Sequence, residues 1–93
     1  MTKIDSTMER VAKKLAALYA ENFGGKPKGR YRIAVKLVRN LAGRRRLYTD
    51  DIHDLSRALL ELGYVLVDMD SFFVILSANT FVNYRRANEE STK

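Results

Sequence analysis

Tyr64-Val65-Leu66-Val67-Asp68-Met69-Asp70-Ser71-Phe72-Phe73-Val74-Ile75-Leu76 reads as two runs of β-branched and aromatic residues around a short polar break. That pattern predicts a β-hairpin with its turn near Asp68 to Ser71. Both runs are more uniformly apolar than a strand with one wet face, so they predict cover on both faces or a paired edge. A lone hairpin is marginal in water, and helices must pack on it. The class that follows is α+β.

The helices are written upstream. Ile52, Leu55, Leu59 and Leu62 recur at steps of three, four and three, with Thr49 or Asp50 as cap and Gly63 as stop. Asp50, Asp51 and Asp54 put negative charge at the positive end of that helix dipole, while His53, Arg57 and Glu61 share its wet side. Before it, Tyr31, Ala34, Val35, Val38 and Leu41 share a face, widened by Ile33 and Leu37, and predict a helix from about Arg30 to Leu41. Gly43 suits the C′ position, and Leu47-Tyr48 reads as a short edge strand. The first helix opens on the capping-box pattern Ser6-Thr7-Met8-Glu9 and carries the stripe Met8, Val11, Leu15, Leu18, Tyr19 and Phe23. Gly24-Gly25 stops it, and Lys26-Pro27-Lys28-Gly29 is a basic connector. A last helix through Phe81, Val82, Tyr84 and Arg85, capped by Asn79 or Thr80, completes the expectation. The sum is one small α+β domain over residues 1–93, with three to four helices plus a β-hairpin. Residues 1–5 and 88–93 are expected as frayed tails.

At 93 residues the chain holds one modest core. It has no cysteine, which removes disulfides, thiol nucleophiles and cysteine-based zinc sites. His53, the one histidine, sits beside Asp50 and Asp54 near Ser56, and reads as an exposed helix-start residue rather than a general base. Asp68 and Asp70 read as turn-shaping residues, because the rest of a calcium-loop pattern is missing. Gly24 to Gly29 lacks the phosphate-loop spacing, and Phe72-Phe73 reads as core. The expectation is a non-enzymatic protein with no cofactor. The longest charge-free stretch, Ser71 to Tyr84, is shorter than the roughly 20 apolar residues that span a bilayer. The charged first fifteen residues leave no apolar core for a secretory signal, so a cytoplasmic protein without membrane partners is expected.

Charge is unevenly distributed. Residues 25–48 hold nine bases and no acid, whereas residues 49–70 hold six acids and one base. The whole net charge of +6 therefore arises in one window. Six of its nine bases are Arg, which grips phosphate bidentately and stacks on bases. Arg32, Lys36 and Arg39 fall at i, i+4 and i+7 as one row, and Arg44, Arg45 and Arg46 form a second. These six are the candidate nucleic-acid-binding residues, with phosphate contact as their role.

From Arg30 to Ser77 the order of helix, short basic strand, helix ending Leu59-Leu60-Glu61-Leu62-Gly63-Tyr64, then hairpin resembles a winged-helix domain, a helix-turn-helix relative. The resemblance implies DNA binding, often as a dimer, with the helix before the wing in the major groove and the wing on phosphates. Two features depart from it. One helix of about thirteen residues fits between Leu47-Tyr48 and the hairpin where the family places two. The helix in the recognition position carries Asp50, Asp51, Asp54 and Glu61 against Arg57, and the wing tip carries Asp68 and Asp70. Phosphate contact is therefore expected from Lys26 to Arg46. The expected function is a small nucleic-acid-binding protein, DNA more than RNA, of regulatory type. The alternative is a protein-interaction or homodimerisation module with complementary basic and acidic faces.

Overall fold

A computed structural model describes residues 7–93, so the Ser6 half of the expected capping box and the tail at 1–5 lie outside the described residues. In chain order the elements are α1 (Thr7–Tyr19), β1 (Tyr31–Ala34), α2 (Val35–Ala42), α3 (Thr49–Glu61), β2 (Tyr64–Asp68) and β3 (Phe72–Ser77). The three strands form one antiparallel sheet in the order β1-β3-β2. This is a small α+β fold in which three helices lie on one face of the sheet.

The core is where the helical and strand periodicities meet. Met8, Val11, Ala12 and Leu15 of α1, Val38 and Ala42 of α2, and Leu55 and Leu59 of α3 close on Ile33, Phe73 and Ile75 of the sheet. Each large side chain buried there contributes about 1.5–3 kcal/mol. Alternation along the strands fixes the second face. Arg32, Ala34, Val65, Val67, Phe72, Val74 and Leu76 point away from the helices, because their neighbours Ile33, Leu66, Phe73 and Ile75 point into them.

The hairpin forms as expected, with Val65 opposite Leu76 and Val67 opposite Val74. Asp68 Oδ1 accepts the Asp70 amide (2.8 Å), and Asp70 takes φ 74°, a left-handed conformation that Asp tolerates better than most residues. The span predicted as one helix from Arg30 to Leu41 is instead a strand followed by a shorter helix. Tyr31 to Ala34 pairs with Ile75 to Phe72, filling the open edge of β3, and the helix starts only at Val35. The predicted edge strand at Leu47-Tyr48 is absent because that edge is already occupied. Leu47 packs on the core, and Tyr48 is the N-cap of α3. Two helices, not one, therefore separate the first strand from the hairpin.

Smaller corrections follow the same logic. α1 ends at Tyr19 rather than at Gly24-Gly25, and Phe23 is exposed, stacked edge-on against Tyr31 at 5.4 Å. α3 takes its cap from Tyr48, whose amide donates to Asp51 (2.9 Å). The predicted last helix is one 3-10 turn, Ala78–Phe81, whose cap Ser77 accepts from the Asn79 amide. At 88–93, Asn88 and Ser91 bond each other across a further 3-10 turn, Glu90–Thr92. No helix among the described residues is long and apolar enough to cross a membrane.

β1 is tied to α1 by one partly buried bond. The Tyr31 hydroxyl donates to the Leu15 carbonyl (2.5 Å). Burial pushes this phenol well above the usual tyrosine range, and the nearby Glu21 carboxylate and Tyr64 push it the same way. Tyr31 is therefore a hydrogen donor across the whole physiological range.

Candidate nucleic-acid interface

The six candidate residues of the basic window fall on three separate pieces of the fold. Arg32 lies on the outer sheet face, with its guanidinium 5.5 Å from the centre of the Phe72 ring. Lys36 is exposed near the start of α2. Arg39, Arg44, Arg45 and Arg46 gather around the C-terminal end of α2. The row Arg32, Lys36, Arg39 is broken because Arg32 is on a strand, which turns its side chain on a period of two rather than 3.6.

At the end of α2 several orphan carbonyls need donors. Gly43 takes φ 68°, and its amide bonds back to Asn40 while the Arg44 amide bonds to Arg39. Arg10 of α1 donates Nη1 to the Leu41 carbonyl (3.0 Å). Arg39 donates Nη1 to the Arg45 carbonyl (3.2 Å). The Arg44 guanidinium pairs with the Asp51 carboxylate in the first turn of α3, where both side chains are partly buried. Asp51 spends its other oxygen on the Tyr48 amide. Arg39 and Arg44 thus hold the connection from Gly43 to Tyr48 in place, and Arg10 ties the last turn of α2 to α1. Arg45 and Arg46 remain exposed on it, with no ion pair among the described residues.

Lys36 and Asn40, four residues apart, share the outward side of α2, because Val38 and Ala42 take the inward side. Asn40 was not among the expected site residues. Its signal was present, since an amide one turn from a lysine on a wet face is a ready phosphate or base donor. Arg10 was also missed, because nothing in the sequence ties it to a carbonyl 31 residues away. Lys26 and Lys28 sit in the connector before β1, where Asn22 accepts the Lys28 amide (2.9 Å). Both are exposed and precede β1.

The outward side of α3 has the opposite character. Glu9, His53, Asp54, Arg57 and Glu61 line an open groove of about 410 Å³ between α1 and α3. No hydrogen bond among the described residues joins His53 to Asp50, Asp54 or Ser56. Comparison with known proteins finds no matching family model, no matching curated protein and no matching solved structure.

Chemically, Arg45, Arg46 and Lys36 can each neutralise one phosphate. Releasing condensed counterions at two or three phosphates gives weak, salt-sensitive binding, with a slope of about −2 to −3 in log affinity against log salt.

Proposed function

We propose that this chain is a small winged-helix-type module, non-enzymatic and regulatory, that binds the phosphate backbone of DNA through Arg45, Arg46 and Lys36. The observation that carries the reading is the held loop. Arg39 and Arg44 fix the connection between α2 and α3, and leave its two remaining arginines exposed and with no ion pair among the described residues.

The element order supports the fold half of the reading. A strand, two helices and a hairpin follow α1, and the first strand adds to the second strand of the hairpin. That is the order of a winged helix. The charges then reassign the usual contacts. Asp50, Asp54 and Glu61 on α3, and Asp68 and Asp70 at the hairpin tip, repel phosphate. The backbone is instead met by α2 and the loop that follows it, which set affinity and register without reading sequence.

The test is fluorescence anisotropy with a labelled random duplex and a matched single strand at several salt concentrations. Wild type is expected to bind the duplex with a salt slope of about −2 to −3, and Arg45→Ala/Arg46→Ala to flatten that slope by about two units. No binding to either probe at low salt would sink the proposal.

A further inference from the structure

Among the described residues, no helix lies on the outer sheet face. Val65, Val67, Phe72, Val74 and Leu76 line it, and none of them belongs to the cluster that packs under the helices; Leu76 at the Ser77 end is buried, Val65, Phe72 and Val74 are half-buried, and exposure rises toward the hairpin tip. Val67 at its edge is 37% exposed, and Met69 beyond it 49%. Three strands about 4.8 Å apart and five residues long present a footprint on the order of 250 Å². A stable partner contact needs roughly 800 Å² a side, so this face alone is too small.

The missing area is on the same chain. Directly after β3, Phe81 (38%), Val82 (71%) and Tyr84 (62%) are exposed, with Phe81 and Tyr84 edge to face at 5.2 Å. Residues 85–93 hydrogen-bond only among themselves. The Cα radius of gyration is 15.1 Å, against about 12 Å for a compact domain of this length. The C-terminal arm thus carries apolar side chains that its own body leaves uncovered.

We propose that the outer sheet face binds the arm of a second copy of this chain, in a two-fold dimer. Length and charge choose this occupant. The 3-10 turn Ala78–Phe81 and the turn residues 82–84 that continue it rise about 14 Å, so Arg85 and Arg86 follow at about the length of the strands beneath. An arm that starts beside the partner's Ser77 end therefore brings Arg85 and Arg86 to the hairpin tip. Asp68 and Asp70 wait there, exposed and with no ion pair among the described residues. Arg32, stacked on Phe72, forms the rim at the far edge. The loop bearing Arg45 and Arg46 lies outside this contact, so the dimer does not depend on nucleic acid.

Sedimentation equilibrium of the nucleic-acid-free chain tests it. Wild type is expected to be a dimer. Val74→Asp, and separately Phe81→Ala/Val82→Ala/Tyr84→Ala, are expected to loosen it by about tenfold or more. The arm variant changes only exposed residues, so the test survives if Val74→Asp fails to fold. Arg85→Glu/Arg86→Glu should weaken the dimer, and adding Asp68→Arg/Asp70→Arg should restore it. A wild-type monomer, or a dimer indifferent to the arm and charge-swap variants, would overturn the proposal. Loss of duplex binding with the dimer intact would instead count against the nucleic-acid reading alone.

Discussion

Arg44 and Asp51 form an ion pair across the turn between α2 and α3, and Asp51 holds the Tyr48 amide with its other oxygen. One carboxylate thus closes the end of one helix and the start of the next. Its partners lie on both sides of the loop that presents Arg45 and Arg46.

Removing that carboxylate should loosen both ends together. Asp51→Ala loses a partly buried ion pair and an N-terminal cap, and is expected to cost about 1–3 kcal/mol. Asp51→Asn keeps an acceptor for the Tyr48 amide and should cost less. Urea unfolding followed by circular dichroism measures both, and equal losses would mean that the ion pair, not the cap, carries the effect.

The three consecutive arginines should separate in their effects. Arg44→Ala strands Asp51 without its cation and should act mainly on stability, by about 1–2 kcal/mol, with the salt slope of duplex binding changed by less than one unit. Arg45→Ala/Arg46→Ala should leave the unfolding midpoint nearly unchanged and lower the slope by about two. Thermal unfolding and salt-titrated anisotropy on the same samples decide. A larger slope change from Arg44→Ala than from the pair would mean that phosphate displaces Asp51 from Arg44.

That separation could not be read from the sequence. Arg44 and Asp51 are seven residues apart across a turn, a spacing for which neither the helix nor the strand has a contact rule. α3 and the hairpin were legible because their apolar residues follow one period without competition. Tyr31-Arg32-Ile33-Ala34 fits two periods at once. Tyr31 and Ile33 alternate like a strand, while Tyr31, Ala34, Val35 and Val38 step like a helix. What decides is the open edge of β3, supplied from some forty residues away. The uniform apolarity of the hairpin was legible as cover on both faces or a paired edge, and it is the edge of β3 that β1 pairs.

Gly43 sets the direction of the loop. At φ 68° a side chain is strained, although no atom lies within 4 Å of where its Cβ would stand. Gly43→Ala is expected to cost about 1 kcal/mol from backbone conformation alone, and Gly43→Asn less. Equal midpoints for Ala and Gly in urea would mean that the α2 end relaxes freely, and the loop would then not be held as described.

Tyr31 carries the pH dependence. Its phenol titrates higher in the folded chain than in the unfolded one, where the ordinary value is near 10. Above that value the unfolded state loses its proton first, so it binds fewer protons than the native state and stability falls as pH rises. Below it, the contribution is fully present. Tyr31→Phe removes both the titration and the bond to Leu15. It is expected to lower stability by about 1 kcal/mol at neutral pH and to flatten the fall above about pH 10. Urea midpoints between neutral and strongly alkaline pH measure the two curves. If the variant falls as steeply as wild type, the alkaline limb belongs to another group and the partly buried bond is not its source.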